Sequence, residues 1–187
     1  AAAHAGLLTV GLPGSAGRLT AAQVGAAAST AEDVVDQRPA VLVLENTHNF
    51  GGGTVQPIEA VREVRRATQA LGVAMHLDGA RLWNAAVKQR VEPREIAHGF
   101  DSVSVCLSKG LGAPVGSVLC GSRDFIKDAR RWRKMLGGAM RQAGIVAAAG
   151  RYAIAHNIGR LAEDHEHAAR LAAGLAKHAT LAVSPAQ

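Results

Sequence analysis

Lys109, Asp78, Arg81 and His48 are the residues whose types and settings could carry chemistry in this chain. A primary amine can attack a carbonyl carbon and hold it covalently. A carboxylate can pair with a cationic ring nitrogen, and an imidazole can take up a proton near neutral pH. Lys109 lies in Ser108-Lys109-Gly110, Asp78 in Asp78-Gly79-Ala80-Arg81, and His48 in Asn46-Thr47-His48-Asn49. Glycines crowd around them, Gly51 to Gly53 on one side and Gly110, Gly112 and Gly116 on the other, and allow a ligand to approach the backbone closely.

These groups gain meaning from the elements ahead of them. Ala40–Glu45 is an almost unbroken apolar run with β-branched residues, which predicts a strand buried on both faces. Val73–Asp78 and Asp101–Leu107 predict two more strands, and Gly116–Cys120 a fourth; Leu7–Gly11 reads as a short one. Helices are predicted near Thr20–Ala28, from Pro57 to Leu71 with Ile58, Val61, Val64 and Thr68 on one stripe, over Ala80–Val87, and briefly after Pro93. The chain from Arg123 onward reads as helical: Arg123–Met135, Ala139–His156 and Ile158–His178, the last with Leu161, Ala168, Leu171 and Leu175 on one face. Alternating strands and helices predict a three-layer α/β fold with a mainly parallel sheet. Ligands of such sheets bind beyond the carboxyl ends of the strands. His48, Asp78 with Arg81, and Lys109 each follow a strand at that edge.

Composition narrows the class. The chain has 187 residues, 48% of them hydrophobic and 19% charged, the proportions of a packed globular protein. Six aromatics (Trp 2, Tyr 1, Phe 3) leave the core to Ala, Val, Leu and Ile. No apolar stretch reaches the roughly 18 residues of a membrane span. The net charge of +6 favours anionic ligands without choosing among them. Arg123–Arg141 carries seven cations, yet without interleaved aromatics or a binding motif it reads as a solvated face and not a nucleic-acid site. Cys106 and Cys120 are too few for a disulfide framework and predict a reducing, cytoplasmic setting. His165 and His167, two apart on a helix, point to opposite sides, so Glu163–Arg170 reads as a solvent-facing stripe and not a metal site. Met135, Trp83 and Trp132 read as packing residues.

A lysine and a carboxylate held apart in one cleft suit pyridoxal phosphate. The amine forms a Schiff base with its aldehyde, and the carboxylate keeps the pyridine nitrogen protonated so that the ring accepts electrons. A lysine buried near other cations loses its proton readily, as that attack requires. Four segments, LENTHNFGGGTVQP (44–57), HLDGARLWNA (76–85), SVCLSKGLGAPVGS (104–117) and RKMLGGAMRQAG (133–144), together resemble the L-threonine aldolases, pyridoxal-phosphate enzymes of the aspartate-aminotransferase fold type within the beta-eliminating lyases.

The resemblance implies retro-aldol cleavage of L-threonine or L-allo-threonine to glycine and acetaldehyde. Lys109 resembles the Schiff-base lysine, Asp78 the partner of the ring nitrogen, and Arg81 an arginine contacting cofactor and substrate. His48 is similar to the histidine near the substrate hydroxyl, and is the candidate base, directly or through a water. Lys134 and Arg141 match basic positions near the active site and subunit interface; Ala139 stands where the family has a third glycine. Asp78 also suits a helix N-cap and His48 also suits a structural bond to the glycine-rich loop. Residues 1–157 are expected to form the cofactor-binding large domain, incomplete at its N-terminus, and 158–187 a connecting helix toward a small domain. The resemblance implies a homo-oligomer, a dimer of dimers. Another lyase of the same fold type acting on a different β-hydroxy amino acid, or a non-catalytic packing module, are the alternative readings. The pyridoxal-phosphate reading requires Lys109 and Asp78 to face one another across a pocket sized for a pyridine ring.

Overall fold

A computed structural model of the protein describes residues 2–28 and 38–183; the last four residues of the 158–187 segment lie outside it. Its centre is a four-stranded sheet in the order β1 (Val41–Glu45), β2 (Ala74–Gly79), β3 (Ser102–Cys106) and β4 (Ser117–Gly121). The first three strands are parallel and β4 is antiparallel to β3. The parallel steps cross over through α3 (Ile58–Ala70) and then through α4 (Leu82–Gln89) and α5 (Pro93–Ala97). Between β3 and β4 runs only the glycine-rich turn that holds Lys109, too short for a crossover helix, so the chain must reverse direction there.

Local chemistry sets the element ends. Val61, Val64 and Thr68 bury one stripe of α3, and the helix stops at Gly72, whose φ of 68° a side chain would strain. α5 starts with a capping box between Glu92 and Glu95, with Pro93 at its first position. Ser122 caps α6 (Arg123–Met135) by accepting a bond from the Phe125 amide.

Side chains alternate across each strand, so register assigns the two faces of the sheet. Leu44, Met75, Leu77, Val103 and Val105 share the inner face and are at most 6% exposed. They pack under α2 (Ala21–Ala28) and α3 through Leu19, Val24 and Val64, and under α4 and α5 through Leu82, Ala85, Ala86 and Ile96. Burying each such side chain stabilises by about 1.5–3 kcal/mol. A third cluster gathers Leu107, Leu111 and Ala113 beyond β3 with Ala153 of α7 (Gly144–His156) and Leu161 of α8 (Leu161–Leu175).

The opposite face carries Val41, Val43 and Glu45, then His76 and Asp78, then Ser102, Ser104 and Cys106. No described helix covers it: Val43 is 55% exposed. The expected burial of β1 on both faces is therefore not met among the described residues.

Four further expectations change. Leu7–Gly11 is exposed chain with no ladder partner among the described residues, and a strand without one has nothing to bond its backbone. Trp83 packs between two core clusters as expected, but Trp132 and Met135 are 51% and 62% exposed, because among the described residues α6 packs chiefly on the edge strand β4. Leu171 is likewise 63% exposed, so the apolar stripe of α8 is buried only at Leu161. His165 is half-buried and not a purely solvent-facing residue: its Nε2 lies 2.9 Å from the Asn84 carbonyl oxygen and ties α8 to α4. No helix among the described residues is long and apolar enough to cross a membrane.

Candidate active site

β1 delivers Glu45 and then a buried hinge. Asn46, 1% exposed, donates from its Nδ2 to the Gln56 carbonyl and accepts from the Gln56 amide at its Oδ1, both at 3.1 Å. This reciprocal pair closes the loop 46–56 at its base. Inside the loop His48 and Thr54 form a β-bridge, with the His48 amide 2.8 Å from the Thr54 carbonyl.

The His48 ring is fixed on several sides. Its Nδ1 accepts the Gly51 amide at 2.9 Å, and its Nε2 lies 3.8 Å from Glu45 Oε2. Gly17, at φ 78°, lies so close that a Cβ there would meet the His48 ring at 2.1 Å. The segment around Gly17 is itself anchored, since Thr54 Oγ1 donates to the Ala16 carbonyl and Arg18 Nε to the Val55 carbonyl. The reading of His48 as a histidine bonded to the glycine-rich loop thus describes its contacts.

β2 ends on Asp78, which the register pairs with Glu45 on one side and Ser104 on the other. Its Oδ1 accepts the Ala80 amide at 3.0 Å, and Oδ2 has no hydrogen-bond partner among the described residues. Asp78 is not the N-cap of the following helix: Arg81 occupies that position and makes no side-chain cap bond. One turn of chain separates them, so the carboxylate keeps one oxygen free at the sheet edge. Two residues earlier, His76 Nδ1 lies 2.8 Å from Ser102 Oγ. Burial lowers its pKa below 6.5, and the nearby Asp78 charge pulls in the other direction.

β3 ends on Cys106, on the same face as Ser104 and Asp78. Lys109 donates from Nζ to Cys106 Sγ at 3.0 Å, which draws the amine back over that face. The turn around it is closed by Gly112 N–H donating to the Lys109 carbonyl and Ala113 N–H to that of Leu107. Packing explains the glycine at 110: a Cβ there would meet Leu161 Cδ2 at 2.7 Å. Lys109 is exposed, contrary to the expected burial, because the face above Cys106 opens to solvent. Lys134 in the last turn of α6 and Arg141 ahead of α7 are also exposed, and no hydrogen bond among the described residues links them to Lys109, Asp78 or His48.

Lys109, Asp78 and His48 thus arise from three adjacent strand ends, with Arg81 just behind Asp78. The space over them is an open face floored by Ser104 and Cys106. The floor side chains are small, the free Asp78 oxygen suits a pyridinium nitrogen, and the Lys109 amine suits an aldehyde carbon. This donor set fits the reactive parts of pyridoxal phosphate. Sequence reading passed over Glu45, which the ladder sets beside Asp78, and Cys106, the partner of the Lys109 amine. The signal for Cys106 was its spacing of three from Lys109 on a strand end; Glu45 was hidden because it closes a run read as wholly buried.

The chain has similar proteins of known family. The chain is 52% identical over 141 residues to the low specificity L-threonine aldolase of Escherichia coli K12, a match covering 75% of this chain and 41% of that protein. It is 47% identical over 135 residues to low-specificity L-threonine aldolase 1 of Arabidopsis thaliana, covering 72% and 38%. The chain therefore spans about two fifths of the length of these relatives. The solved structure of Leishmania major threonine aldolase shares the fold with a TM-score of 0.79 at 24% identity, covering 90% of this chain and 50% of that one. The beta-eliminating lyase family model matches residues 1–187, and the chain belongs to the beta-eliminating lyase family.

Proposed function

We propose that the protein is a pyridoxal-phosphate-dependent aldehyde-lyase that cleaves L-threonine or L-allo-threonine to glycine and acetaldehyde. The observation that carries this reading is that the Lys109 amine, bonded to Cys106, and the unbonded Asp78 oxygen belong to one open sheet face at adjacent strand ends. The relatives named above support the choice of substrate. When bound, pyridoxal phosphate supplies an electron sink for the carbon next to the substrate amine.

Lys109 would hold the cofactor through its aldehyde carbon. Asp78 would bind the ring nitrogen and keep its proton in place, a charge-assisted contact stronger than a neutral one. Arg81, at the start of α4, would contact cofactor and substrate from behind Asp78. The group taking the hydroxyl proton belongs to the β1 end, where Glu45 and His48 stand. Lys134 and Arg141 are the basic groups offered to the site or to a neighbouring subunit.

We read residues 1–157 as the cofactor-binding large domain and 158–187 as the segment leading on from it. A homotetramer built as a dimer of dimers fits the uncovered apolar surface of α7, where Ile145 is 82% and Tyr152 63% exposed. A cytoplasmic location fits the free thiols of Cys106 and Cys120. The ligands in this reading are small amino acids, not nucleic acid or membrane.

The test is direct. Holoenzyme incubated with L-threonine should release equal amounts of glycine and acetaldehyde, and Lys109→Ala should abolish the release. Cleavage of phenylserine but of neither threonine isomer would move the protein to another lyase of the same fold type. Absence of both cofactor uptake and cleavage would leave only a packing module.

A further inference from the structure

We infer that Glu45, and not His48, is the proton acceptor at the β1 corner of this site, with His48 held in its Nε2–H form and that edge turned toward Glu45. The inference rests on the lyase reading for the identity of the proton and on this chain's own geometry for its destination.

A backbone amide can only donate, so the 2.9 Å contact from Gly51 N–H to His48 Nδ1 requires a lone pair on Nδ1. The neutral ring therefore carries its hydrogen on Nε2, and that edge faces Glu45 Oε2 at 3.8 Å. Neither nitrogen of the ring is left as a free base. Protonating Nδ1 would break the Gly51 contact, and Nε2 is already protonated. Nor can the ring easily turn over, because Gly17 packs against it, and His48 N–H and C=O are both tied within the loop, to Thr54 and Gly53.

Glu45 has the capacity that His48 lacks. Its Oε1 accepts the Asn49 amide at 3.1 Å, and a carboxylate offers further lone pairs on both oxygens. It stands on the open sheet face as the register partner of Asp78. Two neighbouring carboxylates then divide the labour: Asp78 toward the ring nitrogen, Glu45 toward the hydroxyl. In the step, the hydroxyl O–H bond breaks and its proton goes to a Glu45 oxygen. The electron pair stays on oxygen and forms the aldehyde C=O as the Cα–Cβ bond breaks. The pair of that bond is left to the α-carbon, which takes up one proton from Glu45 or from solvent to give glycine; if solvent supplies it, Glu45 returns its own proton to solvent, so no proton is consumed overall.

The test has an arm that needs no turnover. Two-bond proton–nitrogen NMR of ring-labelled histidine in the holoenzyme, assigned with His48→Gln, should show His48 with Nδ1 bare and Nε2 protonated; a protonated Nδ1 overturns the inference. In kinetics, Glu45→Gln keeps shape and hydrogen bonding but cannot take a proton, and should lower kcat a hundredfold or more with KM little changed. His48→Gln should lower kcat by about tenfold or less, through looser placement of Glu45. The reverse ranking also overturns the inference. A parent enzyme that binds cofactor but cleaves no threonine would instead refute the lyase reading, while the tautomer is still read.

Discussion

Replacing Asn46 by alanine should unfold the site from its base. Asn46 is 1% exposed and its side chain both donates to and accepts from the backbone of Gln56, closing the loop that carries His48. In Asn46→Ala the Gln56 amide becomes a buried donor without an acceptor, which costs about 1–3 kcal/mol. The Gln56 carbonyl keeps a weaker partner, Gln89 Nε2 at 3.4 Å, so its loss is smaller. With the small void left by the missing amide, the total comes to about 2–4 kcal/mol. At a urea dependence of about 2 kcal/mol per molar, the unfolding midpoint should fall by about 1–2 M. Asn49, three residues on, is exposed and bonds through its backbone amide. Asn49→Ala should therefore stay within about 0.5 kcal/mol of the parent. Equal midpoints for the two variants would refute the view that this pair clamps the loop.

Other positions give further tests. Gly17→Ala places a Cβ 2.1 Å from the His48 ring at a φ of 78°, so it should destabilise by at least about 2 kcal/mol in urea unfolding and perturb the His48 NMR signals. Asp101 accepts two bonds from Arg65 and one from the Met75 amide, and these hold its pKa below 3.8; Asp101→Asn should cost about 1–2 kcal/mol at neutral pH, since the ion pair is partly solvated. A depressed carboxyl pKa stabilises above the unfolded value and stops doing so as pH falls through the folded one, so parent and Asp101→Asn should converge in strong acid. His76 has its pKa lowered from 6.5 by burial. The unfolded chain then binds the proton first, and stability falls as pH drops below about 6.5; His76→Gln should flatten the thermal-midpoint profile between about pH 7.5 and 5.

The parallel strands, their crossovers and the three strand-end motifs were legible because they rest on local patterns. Val73–Asp78 and Asp101–Leu107 alternate at period two, and the α3 stripe repeats at helical spacing. The direction of β4 was not legible from its own residues; it follows from the length of the turn before it. The apolar run of β1 predicted cover on both faces, while only Leu42 and Leu44 meet helices, and the other side is the open site face. His48 shows the limit most clearly. Its motif pointed to the right place, but only a tertiary contact, the Gly51 amide on Nδ1, decides which ring nitrogen carries the proton. Glu45 became visible only once register set it beside Asp78.

The role assigned to Lys109 can be read chemically in one measurement. Holoenzyme treated with borohydride, digested and analysed by mass spectrometry should carry the reduced pyridoxyl group on the peptide containing Lys109, and Asp78→Ala should weaken cofactor retention without moving the label. A stable label on Lys134, Lys88 or any other lysine, with Lys109 unmodified, would contradict the account.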